Sequence, residues 1–524
     1  MVGLFGTLGT ASSGLNASDI GLQTAANNIS NAGTEGYSRQ RVNLHTKLPY
    51  TLAGVGSIGT GVKVDGVKRD VSDYIRQQIR VATSKQASAT QRSTTLGNLE
   101  DILNEPSDNG VINQLANLSN AWTSVANDPE MTTTKSVVLE HASSFVDAIH
   151  NMASSITNLK NTTVNGVAQA ALDFNKKLET LNELNTQIYN SYAIGETPNT
   201  LLDSRDQVLK ELSGLADIST VTDEYNRVSV YLGENPKAEN VVLDSATKQV
   251  NNLSVVSASQ AGKSSVIVDG DITGKQVELT GDYPAGTLLI LKQNVNGAYS
   301  ISKKAQVTEG DLGGYQDALA EINSAMTELN NFTNTIVKTI NLVYNSNGTT
   351  SPGKAGLLYK GFFTLAMDSQ NPAVDFAVDK NLLANPALLR TGTTTASGDS
   401  SIATAIVAAF AATIPTDGSD ASVLTAYDSA SLRFKTNTSG STYATRFNNI
   451  VTTNGIAKQK ADNTQAAQDT LLNSLNQQDQ SVSGVSINEE MADVIRYQNA
   501  FQANARMMQV VADCLDTLIN KTGV

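Results

Sequence analysis

The chain has 524 residues, with 37 Lys and Arg against 50 Asp and Glu, a formal net charge of −13, and only 3 His, 1 Trp and 1 Cys. An acidic balance repels phosphate backbones and anionic lipid, so nucleic acid is not an expected partner. Cys514 has no second cysteine to pair with, and side chains for acid, base or metal chemistry are scarce, so no cofactor, metal site or catalytic residue is expected.

The first predicted element is a helix over residues 4–31. Leu8, Leu15, Leu22 and Ile29 recur every seven residues, with Leu4, Ala11, Ser18 and Ala25 in the alternate seam position, which is a narrow heptad stripe. Asn31 and Gly33 suit the left-handed turn that closes a helix. The first basic residue is Arg39, and Gly, Ser and Asn punctuate the stretch before it, so a cleaved secretory signal is not expected. Gly54 to Gly59, "GVGSIG", fits a dinucleotide-binding pattern, but Val62, Val64 and Val67 follow as a short strand where that fingerprint needs a helix. A flexible loop is the expectation there.

A helix opens near Ser72, and amphipathic helices run to about residue 218, broken by turn chemistry at 105–110, 127–130 and 195–199. His141 and His150, nine apart, turn to opposite helix faces and cannot share a metal. Asp203, Arg205 and Asp206 read as solvated helical ion pairs, not as a catalytic carboxylate pair. From 219 to 308 short alternating runs such as "RVSVYLG" and "GTLLILKQ" mark a β-rich insertion.

Helix returns over 312–345. The apolar run Ile402 to Ile414 is shorter than the ~20 residues a membrane span needs, so it is a buried helix and no membrane insertion is expected. A polar helix follows over about 445–480. In the last element Ile487, Val494, Phe501, Met508 and Leu515 repeat every seven, and Met491, Gln498, Ala505, Ala512 and Ile519 fill the alternate seam. Ser486 and Glu489 form a capping-box pattern, Glu490 adds charge to the first turn, and Lys521 and Gly523 mark the end.

The resulting fold class is mainly α with a β-rich inserted domain, an α+β multidomain chain. Residues 1–45 and 480–524 form a terminal coiled-coil-like part, 46–218 and 309–479 a discontinuous, mostly helical domain, and 219–308 the β-rich outer domain. The terminal stripes can pair as a parallel or antiparallel hairpin, with neighbouring copies supplying the remaining burial.

Residues 14–42, "SGLNASDIGLQTAANNISNAGTEGYSRQRV" with its flanking Ser13, resemble the N-terminal segment of the flagellar rod, hook and hook-associated axial proteins. "SGVSINEEMADVIRYQNAFQANARMMQVVADCLDTLI" near the other end resembles their C-terminal partner. "GYSRQ" at 36–40, "EPSDNGVINQLANLSNAWTSVANDPE" and "NTLLDSRDQVLKELSGLADISTVT" resemble the hook-associated members of that family.

The resemblance implies a structural subunit of the junction between hook and filament, exported through the flagellar type III apparatus to the cell exterior. It implies self-association into a ring, hook protein below, the next hook-associated protein above, and a cytoplasmic export chaperone on the C-terminal helix. The interface it implies comprises Leu8, Leu15, Leu22, Ile29, Ile487, Met491, Val494, Phe501, Ala505, Met508, Leu515 and Ile519. Competing readings are another hook-type or rod-type subunit, a flagellar scaffold carrying a cell-wall hydrolase, and an added adhesive surface.

Overall fold

The computed structural model describes residues 2–52, 54, 56–103, 110–258, 266–268, 276–278, 283–293, 299–346, 358–415, 419–435 and 440–521. The turn expected at 105–109, most of the strand runs expected around 264–281, and Gly523 lie outside the described residues.

The chain opens with helix α1 (Val2–Ser30) and strands β1 (Gln40–Thr46), β2 (Tyr50–Leu52), β3 (Gly56–Ile58) and β4 (Val62–Arg69). Helices α2 (Asp73–Leu103), α3 (Val111–Asn127), α4 (Thr132–Ala193) and α5 (Asn199–Leu215) follow. Strands β5 (Ile218–Thr222), β6 (Val228–Leu232), β7 (Val241–Asp244), β8 (Gln249–Val250), β9 (Asn252–Ala258), β10 (Val266–Val268), β11 (Gln276–Glu278), β12 (Leu288–Gln293) and β13 (Tyr299–Lys304) make the inserted region. The chain then runs through α6 (Gly310–Tyr344), β14 (Phe363–Thr364), α7 (Pro372–Asp375), β15 (Ala377–Val378), α8 (Lys380–Ala384), α9 (Ser401–Ala411), α10 (Asp420–Ala426), β16 (Tyr427–Asp428), β17 (Arg433–Phe434), α11 (Tyr443–Ser483) and α12 (Ile487–Asp516).

The mainly helical class with a β-rich insertion is therefore the observed one. Two compact units emerge: one of Met1–Ser88, Ala168–Gly313 and Thr464–Val524, the other of Ala89–Val167 and Gly314–Asn463.

In the first unit β5 to β8 form an antiparallel sheet in sequential order, and a second sheet has the order β11-β10-β9-β12-β13. Both are fastened to α4 by asparagines that imitate a neighbouring strand. Asn185 donates to the Val228 carbonyl at 2.8 Å and accepts the Val228 amide at 3.0 Å. Asn175 does the same to Leu253, with 2.8 Å for each bond. A carboxamide carries both a donor and an acceptor, so it satisfies two backbone groups that a helix surface would otherwise leave bare.

Two local expectations fail in this unit. "GVGSIG" is not a free loop, because β3 pairs antiparallel with β2, Tyr50 opposite Ile58. The left-handed residue after α1 is Gly36, φ +79, and not Asn31 or Gly33. Asn31 continues the turn with its amide on the Asn27 carbonyl.

The second unit has the large aromatic core. Trp122, Phe145, Phe332, Phe362, Phe363, Phe376 and Tyr443 are fully buried. Trp122 meets Phe362 edge-on at 5.2 Å between centroids, and Phe362 meets Phe363 at 4.8 Å. Helix α9 buries Ile402, Ala403, Ala405, Ile406 and Ala409 here, which is why its apolar run needs no membrane. His150 is spent structurally, its Nε2 3.0 Å from the Phe376 carbonyl.

Candidate assembly interface

The terminal helices α1 and α12 pack on each other, and the pairing is antiparallel. A Cβ added to Gly14 would lie 2.7 Å from Oδ1 of Asn504, and one on Gly21 would lie 2.5 Å from the Tyr497 ring. Asn28 donates to Oε2 of Glu490 at 2.9 Å. As α1 advances by seven residues, its partner position on α12 retreats by seven.

The seam is made of small residues on one side. Ala11, Ser18, Gly21, Ala25 and Asn28 are buried and Gly14 half-buried, at spacings of three and four. Glycine here permits a backbone approach that any side chain would block. The facing residues Asn504, Tyr497 and Glu490 also recur every seven. Sequence reasoning placed Ala11, Ser18 and Ala25 in the seam but missed Gly14, Gly21 and Asn28, whose own seven-residue recurrence was the available signal.

The implied interface residues divide accordingly. Leu8, Leu15, Leu22, Ile29, Val494, Ala505, Met508 and Leu515 are half-buried at the margins of the hairpin. Ile487, Met491 at 53% exposure, Phe501 and Ile519 at 67% face outward, as do Phe5, Ile495, Met507, Val510 and Leu518. The expected alternate seam of Met491, Gln498, Ala505, Ala512 and Ile519, exposed except for the half-buried Ala505, is therefore not the one that closes the hairpin; Glu490, Tyr497, Asn504 and Val511 take its place.

The base of the hairpin is polar, with Asn28 and Glu490 buried and Glu489 exposed. Ser486 does not cap α12 with its side chain, contrary to the capping-box expectation. Glu489 turns instead to Nη1 of Arg39 at 3.0 Å, and Glu490 accepts from Nε of Arg39 at 2.7 Å. The Arg39 guanidinium takes the Glu489 carboxylate that a capping box would place on the Ser486 amide. Tyr37 donates to Oδ1 of Asn28 at 2.8 Å, and burial, reinforced by Asp203 and Glu490, pushes its phenol up to about 12.

Ser38, between Tyr37 and Arg39, points to a different cluster. Its hydroxyl donates to Oδ1 of Asp203 at 2.5 Å and accepts from Nη2 of Arg76 at 2.6 Å. Arg69 lies 2.7 Å from Asp203 and 3.1 Å from Asp206, while Arg76 and Arg205 reach Asp206 at 2.6 and 2.8 Å. The expected solvated pairs are thus a buried ionic hub. Their apparent exposure in sequence came from seeing only one helix; the arginines that cover them stand on β4 and α2. Burial alone would raise the Asp206 carboxyl, but Arg205, Arg69 and Arg76 hold it below the usual carboxylate range. A carboxylate held ionised in this way is a poor general acid, and Asp206 is committed to its ion pairs with Arg69, Arg76 and Arg205.

Among the described residues, no three His, Cys, Asp or Glu are placed to hold a metal ion, and no helix is long and apolar enough to cross a membrane.

Comparison with known proteins agrees with this architecture. Residues 8–37 match the family described as flagella basal body rod protein, and residues 476–521 match the flagellar basal body rod FlgEFG protein C-terminal family. Residues 96–359 match the flagellar hook-associated protein FlgK helical domain. Flagellar hook-associated protein 1 of Bacillus subtilis (strain 168) is 27% identical over 548 aligned positions, covering 100% of this chain and 99% of the relative. The Escherichia coli (strain K12) protein of the same name is 23% identical, covering 98% and 99%. A solved flagellar hook junction protein FlgK from Burkholderia pseudomallei aligns at 17% identity and a TM-score of 0.42, over 55% of this chain and 46% of that one. With half of the chain in the helical-domain match and both termini in the rod-type matches, the chain belongs to the flagellar hook-associated protein FlgK family.

Proposed function

We propose that this chain is a structural subunit of the junction between flagellar hook and filament, built in through its two terminal helices. Family membership supports the location. The observation that carries the mode of assembly is the paired hairpin whose large apolar side chains, Phe5, Met491, Ile495, Val510 and Ile519, face away from their own partner helix. Large apolar side chains left exposed along both helices are ordinarily covered by another protein. Copies meeting heterologously around an axis form a ring, with hook protein below and the next hook-associated protein above.

Residues 1–45 and 480–524 act as the assembly part, 46–218 with 309–479 as the helical domain, and 219–308 as the outer domain. Before assembly the chain passes unfolded through the flagellar export apparatus to the exterior. Before export its C-terminal helix offers Met491, Phe501, Met507 and Met508 to the groove of a cytoplasmic chaperone. Met508 is half-buried in the hairpin, so chaperone binding and hairpin closure exclude one another.

Complementation of a Bacillus subtilis strain lacking its own relative tests the reading. The full chain should restore filament attachment, and Ile495→Gln/Val510→Gln/Ile519→Gln, which spares the residues offered to the chaperone, should be secreted but leave cells without filaments. Filaments on cells making the triple variant would sink the interface, and clearing of peptidoglycan by the purified chain would overturn a purely structural role.

A further inference from the structure

The hairpin seam is nearly periodic, and periodicity leaves its register underdetermined. Gly14 faces Asn504 and Gly21 faces Tyr497, a small residue against a large one in each heptad. Slide α12 by one heptad and Gly21 faces Asn504, or Gly14 faces Tyr497; the fit of small against large survives either way. One layer does not repeat. Asn28 meets Glu490, and Glu490, only 2% exposed, has its second oxygen on Arg39.

The layer is satisfied from several directions. Nδ2 of Asn28 also donates to the Gln40 carbonyl at 2.8 Å, and Oδ1 accepts the Gln40 amide at 3.0 Å. Arg39 is itself held by its amide on the Ser483 carbonyl at 2.8 Å. After a one-heptad slip, Asn28 stands opposite Tyr497 or Ser483, and Glu490 is opposite Gly21 or lies beyond the end of α1. A buried carboxylate stripped of its donors is strongly destabilising, because its charge is left without compensation.

We propose that Asn28, Glu490 and Arg39 form a register lock, a polar layer that selects one antiparallel alignment of the terminal helices and thereby fixes which apolar residues face outward. A buried polar layer in a coiled-coil seam sacrifices stability and secures alignment. The lock deepens the assembly reading, but it is tested in the isolated chain, so its failure leaves the junction assignment standing.

The experiment is a distance measurement between nitroxides at Gln23→Cys and Gln509→Cys, exposed positions outside the seam, in the full chain carrying Cys514→Ser. A one-heptad slip moves the labels relative to each other by about 10 Å along the helix axis. The otherwise unaltered seam should show one distance. Asn28→Leu/Glu490→Leu, which leaves Arg39 with Glu489, should keep its helix content and add a second population displaced by about 10 Å, from undetectable to about a tenth of the molecules or more. A single unchanged distance in the leucine variant would overturn the lock. So would loss of helix there, which would make the layer a stabilising contact only, and so would a broad distribution in the unaltered seam.

Discussion

The core of the second unit and the terminal hairpin solve the same problem, holding helices together, with opposite materials. The first fills its centre with Trp122, Phe145, Phe362, Phe363 and Phe376, all fully buried. The second brings helices together on Gly14, Gly21, Ala11 and Ala25 and turns its larger apolar residues outward. Burial of aromatic bulk stabilises a fold by itself, at roughly 25 cal/mol per Å² of apolar surface removed from water. A small-residue seam buries little area, and its worth lies in close approach and in what it leaves uncovered. The difference teaches where self-sufficiency ends: one region completes its own core, and the other leaves large apolar side chains uncovered.

The largest expected effect tests the first half of that contrast. Trp122→Ala should destabilise the second unit by about 3–5 kcal/mol, seen as a lower denaturant midpoint, while hydrogen exchange in residues 2–30 stays unchanged. Equal loosening of both regions would break the comparison.

A smaller effect is expected in the hairpin. Gly21→Leu drives a side chain into the Tyr497 ring and should cost about 1–3 kcal/mol, raising exchange in α1 and α12 alone. Gly9→Ala is the control, because nothing lies within 4 Å of the added Cβ. It should tighten α1 by no more than about 1 kcal/mol through helix propensity.

The smallest effects are electrostatic, with opposite signs. Asp206 has its carboxyl held low by three arginines, so its stabilisation is full above about pH 4, its unfolded value, and fades as pH falls through the lower folded value. Asp311, in the first turn of α6, is pushed up to about 6 by burial. It binds its proton more tightly in the folded chain, so its contribution to stability grows as pH falls from above 6 towards about 4. NMR titration of the two carboxyls checks both; a midpoint near 4 for Asp311 would remove the second effect.

Much of the chain was legible in order. The helix near 312–345, the strands from 219, the buried helix at 402–414 and both terminal helices stand where hydrophobic period and turn residues put them, because those signals are local. The interface was legible by halves. Leu15, Val494 and Met508 do border the hairpin, yet its closest contacts use Gly14 and Gly21, residues that a search for apolar bulk passes over. Asp203 and Asp206 looked solvated because Arg69, one of their partners, stands 134 residues from Asp203 in the chain.

The sequence by itself determined the elements, the periodicity of the two terminal stripes and, through its motifs, the family, since each is written in spacings of a few residues. Only the tertiary structure decided that the stripes run antiparallel, that Ser486 cedes Glu489 to Arg39, and that an apparently exposed charge run is a buried hub. Those outcomes depend on which distant groups meet after folding, and a heptad repeat carries no information about direction or about the one polar layer that breaks its symmetry.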